Sequence, residues 1–148
     1  MSAVAFHIGP VPVHGRAILA PMDGFSDLPF RLICRELGSA MSYTEFVNVD
    51  ELAATRKRDA KCWRKLLFDP SERPMTFQIY GHDADRILAV AEKLQEQAPA
   101  PDIIDINMGC YVRNIAERGA GSGMLRFPDR IARLFAGLSN RLHLPVTG

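Results

Sequence analysis

Cysteine is scarce in this sequence, and its scarcity excludes two classes of small protein. The 148 residues contain three cysteines, Cys34, Cys62 and Cys110, which lie far apart and form no C-x-x-C pair. Three thiols so placed do not make the disulfide framework of a small secreted domain. With four dispersed histidines they do not make a zinc-ligand pattern either. We therefore predict no disulfide framework and no metal site.

Long hydrophobic runs and an excess of one charge are also lacking. No apolar run approaches the roughly 20 residues that a membrane helix needs. The N-terminal segment MSAVAFHIGP has neither the basic start nor the apolar core of a signal peptide. The formal net charge is +1, so nucleic-acid binding would need a local basic patch. These absences predict a cytoplasmic protein that does not span a membrane.

Short apolar segments alternate with longer amphipathic ones along the chain. The strands are predicted at 17–19, 40–47, 73–81, 102–109 and 144–148, where the fifth strand begins. The helices are predicted at 30–37, at 49–68 in two pieces, at 83–97 and at 129–138, and Asp27 and Asp83 are the expected N-caps. This order is typical of a parallel sheet covered by helices, and an open doubly wound sheet and a (β/α)8 barrel both begin this way. A barrel needs about 250 residues, so this chain would supply only its first half.

Polar or glycine-containing tips follow four of the predicted strands. They are PMDG at 21–24, TEF at 44–46, QIYG at 78–81 and NMGC at 107–110. In both architectures the carboxyl ends of parallel strands carry the chemistry, so we expect these tips to share one edge of the sheet. On its own, a cysteine after a glycine at such a tip is more often a small buried loop residue than a working thiol.

The four tips, in this order, resemble the flavin-dependent tRNA-dihydrouridine synthases. The residues that carry the resemblance are LAPMDGFSDLPFRLICRELG, YTEFV, FQIYG, DIIDINMGCYVRN and GAGSGML. The resemblance covers nearly everything from Ile18 to Thr147. The resemblance implies an α/β fold of the TIM (β/α)8 type. Residues 1–148 would form the N-terminal part of the FMN-binding barrel, and the rest of the barrel and a helical tRNA-binding domain would be absent. NADPH would reduce FMN, and hydride transfer to a uridine in tRNA would give 5,6-dihydrouridine.

The same resemblance implies roles for individual residues. Cys110 would be the general acid that protonates C5 of the uracil while hydride reaches C6, and Gly109 would allow an unusual turn beside it. Gln78 would hydrogen-bond the polar edge of the flavin, and Asn107 would face the flavin or the uracil. The segment Pro21, Met22 and Asp23 would pack along the isoalloxazine ring. Asp105 and Glu45 are expected to have structural roles.

Three further segments allow more than one interpretation. Gly119, Gly121 and Gly123 do not have the spacing of a phosphate-binding Walker loop, and we expect them to approach the Cys110 loop closely. The basic run at 56–65 would contact tRNA phosphates or would form a solvated helix face, and the second interpretation is favoured for such runs. Tyr111 and Arg113 stand where the family usually has proline and lysine.

The function also has alternatives. The family places a flavin-binding lysine on strand five, just past Thr147, and the chain ends at Gly148. We therefore expect the chain alone to bind FMN weakly or not at all. An FMN barrel that reduces a free pyrimidine or another small molecule, or a non-catalytic RNA-binding remnant, are the other hypotheses.

Overall fold

The computed structural model describes residues 3–55, 57 and 59–148, and it consists of an N-terminal hairpin and a parallel α/β unit. The strands are β1 (Phe6–Ile8), β2 (Val11–Val13), β3 (Ser42–Tyr43), β4 (Val47–Asn48), β5 (Met75–Tyr80), β6 (Ile103–Ile106) and β7 (Val146–Thr147). The α-helices are α1 (Leu28–Glu36), α2 (Val49–Ala54), α3 (Lys61–Arg64), α4 (Ala84–Gln95), α5 (Arg113–Ala116) and α6 (Pro128–Arg141). Two 3-10 helices lie at Pro70–Glu72 and Gly121–Arg126.

The main sheet is parallel, and its strands lie side by side in chain order. β3 and β4 both pair with β5, at successive positions along it, and β5 pairs with β6, which pairs with β7. A doubly wound sheet reverses its strand order at a switch point. No such reversal occurs among the strands described here. The prediction of a parallel α/β sheet is confirmed.

The predicted strand at 17–19 was wrong as an element, although its position was right. Leu19 forms a single parallel bridge with Ser42, and two backbone hydrogen bonds join 17–19 to 40–41. Pro21 has no N–H to continue the ladder. The segment therefore lines the edge of the sheet without becoming a strand of it.

The predicted strand at 40–47 is divided into β3 and β4. At the break, the Thr44 side-chain hydroxyl accepts the backbone N–H of Gln78 at 3.2 Å, where a strand would offer a backbone carbonyl. Local competition of this kind between a hydroxyl and the backbone interrupts regular pairing. Residues 44–46 therefore lie between the two strands, at the edge of the sheet where the functional tips are predicted.

The predicted helices are confirmed in place, and three short helical segments were missed. Asp27 and Asp83 cap α1 and α4 by accepting backbone N–H groups. The apolar face of α4 is buried: Ile87, Leu88, Val90, Ala91 and Leu94. Within the run at 49–68, the described residues form two helices, α2 and α3, as predicted. Neither α5 nor the two 3-10 helices has the apolar periodicity that would have revealed it.

The two faces of the sheet differ in chemistry because side chains alternate along a strand. Phe77, Ile79, Ile104 and Ile106 point to the main core, where they pack with the buried faces of α4 and α6. The residues that alternate with them are polar and lie on the opposite face of the sheet: Thr76, Gln78 and Asp105. The helix-covered face therefore stabilises the fold, and the polar face is available for chemistry.

The hairpin of β1 and β2 was not predicted. Its strands pair antiparallel around Gly9 and Pro10. Val13 is fully buried with Met41 and Ile103 in a second, smaller core at the amino ends of the strands. The hairpin thus covers the end of the sheet opposite the predicted functional tips. In the described part of the chain, no helix has the length and apolar character to cross a membrane.

Candidate functional site

A line of hydrogen bonds joins three of the predicted site residues at the carboxyl edge of the sheet. Asn107 Nδ2 donates to Gln78 Oε1 at 3.0 Å, and Asn107 Oδ1 accepts the backbone N–H of Cys110 at 3.0 Å. Gln78 Nε2 donates to Asp105 Oδ2 at 2.7 Å. Because Asp105 offers only acceptors when ionised, it fixes the Gln78 amide with its oxygen toward Asn107. These hydrogen bonds therefore fix the position of the Cys110 backbone relative to Asp105 on the polar face of the sheet.

Asp105 also connects this line to β7 and to β3. Its second carboxylate oxygen accepts the hydroxyl of Thr147. Burial raises the pKa of Tyr43 and the nearby Asp105 carboxylate raises it further, against an opposing effect of a hydrogen bond with Thr147. Tyr43 is thus held as a neutral phenol at neutral pH. The expectation of a structural role for Asp105 agrees with these contacts.

The glycine-rich segment closes over the Cys110 backbone. The N–H of Ser122 donates to the carbonyl of Cys110 at 2.9 Å. A Cβ on Gly121 would lie 2.5 Å from that carbonyl oxygen, and one on Gly123 would lie 2.0 Å from the carbonyl oxygen of Ala116. Backbones can approach this closely only where no side chain intervenes. The expected close approach to the Cys110 loop is confirmed for Gly121, whereas Gly123 closely approaches Ala116 of α5 instead.

Two glycines behave differently from the sequence expectation. Gly119 has no neighbour within 4 Å of its Cβ position, and its φ of +80° accounts for the glycine instead. Gly109 has no positive φ, so the expected unusual turn is wrong. Its Cβ position is open within 4 Å, which agrees with the expected free space beside Cys110.

Arg126 holds the glycine segment in place, a role with no sequence signal. Its guanidinium donates to the carbonyls of Gly123 at 3.2 Å and Ala116 at 2.8 Å. Tyr111, which stands where the family usually has proline after the cysteine, is 86% exposed to solvent. Arg113 pairs with Glu117 one turn further along α5.

The segment Pro21, Met22 and Asp23 forms a tight turn away from this line of hydrogen bonds. Met22 is tied to the fully buried Ser26, whose hydroxyl accepts the N–H of Met22 at 2.8 Å and donates to its carbonyl at 3.0 Å. Asp23 forms an ion pair with Lys65, just beyond α3. The backbone N–H and carbonyl of Met22 are therefore engaged within the turn.

Glu45 and Thr44 connect the two groups of residues. The buried Glu45 carboxylate accepts the N–H of Gly24, which agrees with the structural role expected for it. The adjacent Thr44 accepts the N–H of Gln78. Two consecutive residues at the break between β3 and β4 thus hold the turn at 21–24 and the Gln78 strand end at one edge.

A buried ion pair supports this edge from below. Arg31 Nε lies 2.7 Å from Glu72 Oε1, and the two side chains are 1% and 0% exposed. Arg31 also donates to the carbonyls of Ser26 at 2.9 Å and Leu67 at 2.7 Å. The sequence offered one weak clue, a charged residue within the apolar stretch FRLIC.

The remaining predictions concern thiols, the basic run and metals. Cys62 is buried in the main core and Cys34 is half-buried on α1, as expected of packing residues. Trp63 packs partly buried against the same core. In the basic run, Arg56 and Arg58 lie outside the described residues, and Lys61 and Arg64 are exposed. The described residues contain no group of acidic, histidine and cysteine side chains that could hold a metal ion.

Comparison with known proteins gives a consistent result. The sequence model for dihydrouridine synthase (Dus) matches residues 18–148. The chain is 36% identical over 141 residues to tRNA-dihydrouridine synthase B of Pseudomonas aeruginosa. The aligned region covers 95% of this chain and 41% of that protein. Its namesake in Pseudomonas putida is 37% identical over 99% of this chain and 42% of its own length, and that of Salmonella typhimurium is 34% identical over 95% and 42%. The chain thus spans about two fifths of the length of these relatives.

Proposed function

Because the chain belongs to the dihydrouridine synthase family, we propose that it forms part of an enzyme that reduces uridines in tRNA to 5,6-dihydrouridine. The observation that carries this proposal is the line from Asp105 through Gln78 and Asn107 to Cys110. It presents an amide and a thiol at one strand edge, as a site for a flavin and a uracil requires. The relatives named tRNA-dihydrouridine synthase B support the same substrate.

The residues present suit FMN as the cofactor. The Gln78 amide donates one N–H to Asp105 and accepts one from Asn107, so it retains one donor and one acceptor. That pair matches the alternating carbonyl and N–H groups of a flavin's polar edge. Pro21, Met22 and Asp23 would hold the ring by packing, because the Met22 backbone is already hydrogen-bonded to Ser26. The bound cofactor, reduced by NADPH, supplies the hydride to C6 of the uracil.

Cys110 supplies the proton that completes the reduction. As hydride reaches C6, negative charge develops at C5, and transfer of the thiol proton to C5 neutralises it. The resulting thiolate regains a proton from solvent. The hydrogen bond from the Cys110 N–H to Asn107 and that from Ser122 to its carbonyl fix the backbone on both sides of the thiol. Gly109 leaves the neighbouring space open for the base.

The arrangement of the sheet supports a proposed domain assignment. Strands in unreversed chain order, with helices on one face and polar residues on the other, support a (β/α)8 barrel of which residues 1–148 form the N-terminal part. The remaining barrel strands and a helical tRNA-binding domain would complete the enzyme. A cytoplasmic location accords with a tRNA substrate.

The test is a chimera in which residues 18–148 replace the matching segment of the Pseudomonas aeruginosa relative. Incubated with FMN, NADPH and unmodified tRNA, the chimera should produce dihydrouridine, measured by mass spectrometry of digested nucleosides. Free uridine should remain unreduced. Reduction of free uridine at a comparable rate would favour a small-molecule reductase. A folded chimera that binds FMN and tRNA but reduces neither substrate would favour the non-catalytic remnant.

A further inference from the structure

We propose that Asp105 is a positioning residue for the reaction, because its carboxylate gives the Gln78 and Asn107 amides the one orientation that suits both the Cys110 loop and the flavin. This inference rests on the proposed function and deepens it. The contacts of Asp105 agree with the structural role expected from sequence, but a structural role alone would not need a carboxylate. A carboxylate differs from the other polar side chains of its size because it accepts hydrogen bonds and donates none.

The line of hydrogen bonds from Asp105 to Cys110 has a fixed polarity at both ends. At one end Asp105 Oδ2 accepts Gln78 Nε2, and at the other end the backbone N–H of Cys110 donates to Asn107 Oδ1. The carboxylate is an acceptor only, and the backbone N–H is a donor only. Between these ends, Asn107 Nδ2 donates to Gln78 Oε1 at 3.0 Å. Both amides therefore direct their oxygens toward Cys110 and their nitrogens toward Asp105.

Every other combination of the two amide orientations is penalised twice. Reversing Gln78 alone would bring two acceptors together at Asp105 and two donors together at Asn107. Reversing Asn107 alone would bring two acceptors together at Gln78 and two donors together at Cys110, and reversing both amides would leave a mismatch at each end of the line. A buried polar group that faces its own kind loses its hydrogen bond without regaining water. Without the carboxylate, one of the two penalties against a reversed Gln78 disappears.

The surroundings of Asp105 hold its carboxylate in place without neutralising it. Asp105 and Gln78 are each 6% exposed, and the Thr147 hydroxyl donates to the second carboxylate oxygen. Among the described residues, Asp105 forms no ion pair. A buried carboxylate without a cation is costly. An asparagine there would cost less, but it could take either orientation, because the Thr147 hydroxyl can accept as well as donate. Only the carboxylate excludes the reversed line.

The polarity that Asp105 sets would serve both halves of the reaction. Gln78 keeps one N–H and one lone pair of Oε1, and its reversal would exchange them, so that like groups would meet at the polar edge of the flavin. Reversal of Asn107 would remove the acceptor of the Cys110 N–H, and the loop would keep only the hydrogen bond that Ser122 donates to the Cys110 carbonyl. One buried carboxylate therefore positions the cofactor contact and the thiol together.

Hydrogen–deuterium exchange of the isotope-labelled chain, followed by NMR without FMN, NADPH or tRNA, tests the thiol end of the line. Asp105→Leu should raise the exchange rate of the Cys110 N–H about tenfold relative to the amides of β5, the effect of losing one hydrogen bond. Asp102→Leu is the matched control, because the Asp102 carboxylate also accepts two hydrogen bonds, from Arg73 and from the N–H of Met75, at the other end of β6. It should leave the relative rate at Cys110 unchanged.

The double variant Asp105→Asn/Gln78→Glu separates positioning from a merely structural role by moving the carboxylate one step along the line. The new amide at 105 should donate to the new carboxylate at 78, which would also accept Asn107 Nδ2. The Cys110 N–H would then keep its acceptor and its slow exchange. A carboxylate at 78 has no N–H for the flavin. In the chimera this variant should therefore bind FMN at least about tenfold more weakly, as measured by quenching of flavin fluorescence.

An unchanged Cys110 exchange rate in Asp105→Leu, or an equal increase in Asp102→Leu, would overturn the inference. Fast exchange at Cys110 in the double variant would show that the polarity of the line does not hold the loop, and unchanged FMN affinity would show that it does not serve the flavin; either result would also overturn it. Circular dichroism verifies the fold of each variant, and if Asp105→Leu does not fold, the double variant decides. Because the exchange experiment contains no cofactor or tRNA, its result is independent of whether the chimera reduces uridine.

Discussion

Gly121 is the residue on which the conformation around Cys110 depends most closely. Its φ is +54°, and a Cβ there would lie 2.5 Å from the carbonyl oxygen of Cys110. Gly119 has a φ of +80° and an open Cβ position, so it shares the left-handed backbone conformation without the steric contact. Comparing the same substitution at the two glycines therefore separates the cost of the left-handed backbone from the cost of the steric contact.

We predict that Gly119→Ala lowers the free energy of unfolding by about 1–2 kcal/mol, from the left-handed backbone alone. Gly121→Ala should cost about 3 kcal/mol or more, because the Cys110 loop must also move. Urea denaturation measures the difference. Alkylation of Cys110 by iodoacetamide, read by peptide mass spectrometry, should change in rate only in Gly121→Ala. Equal effects of the two substitutions would contradict the close approach.

The site could be predicted from sequence only where a motif supplied the positions. The resemblance identified Gln78, Asn107 and Cys110, which the structure joins by hydrogen bonds. Thr44 and Arg126 escaped prediction because their roles depend on partners distant in sequence, Gln78 for one and Ala116 for the other. Nothing in the local pattern of a threonine or an arginine reveals such partners.

At the scale of elements, the Arg31–Glu72 pair joins α1 to the 3-10 helix at 70–72 beneath the functional edge. Both side chains are buried, and Arg31 also bonds the carbonyl of Ser26, which holds the Met22 turn. Residues 41 positions apart are thus coupled through one guanidinium. Helix prediction from periodicity located α1 correctly, yet it could not show what its buried arginine contacts.

Arg31→Met should destabilise the protein by about 3–5 kcal/mol, because it leaves the Glu72 carboxylate buried without its cation. Adding Glu72→Gln removes that charge and should restore part of the loss. Chemical denaturation of both variants provides the measurement. A single variant within about 0.5 kcal/mol of the unaltered chain would show that the pair does not hold this edge.

Asp83 gives α4 a pH-dependent contribution to stability. The backbone N–H of Arg86 donates to its carboxylate, which lowers the pKa of Asp83. A lowered pKa in the folded state means that the contribution is present above the unfolded pKa, near 3.9. It is lost as pH falls through the folded pKa. Asp83→Asn keeps the cap and removes the charge, so its stability should fall less than that of the unaltered chain between pH 5 and pH 3. Parallel acid profiles in urea would contradict this role.

At the scale of the whole molecule, the parallel sheet has two open sides. Among the described residues, β7 pairs with β6 alone, and the segment 17–19 forms its one bridge with β3. On α1 and just beyond it, Phe30, Ile33 and Leu37 are exposed at helical spacing. The turn that would pack on the flavin lies at one of these open sides, where Met22 is exposed. The cofactor would therefore be only partly enclosed by the described residues.

For this reason we predict that the chain alone binds FMN weakly or not at all, whereas the chimera binds it tightly. Quenching of flavin fluorescence during titration measures both. Tight, stoichiometric binding by the chain alone would show that the residues described here suffice to hold the cofactor.

The role of Cys110 as proton donor is tested most directly by separating the two half-reactions in the chimera. In Cys110→Ala, NADPH should still reduce the flavin at the normal rate in stopped-flow absorbance. Reoxidation of the reduced flavin by tRNA should fall by about 10²–10⁴-fold, the usual contribution of a general acid, while tRNA affinity is retained. Cys34→Ala, which removes a half-buried thiol on α1, should leave both steps unchanged. If Cys110→Ala reoxidises with tRNA at the rate of the unaltered chimera, Cys110 is not the proton donor.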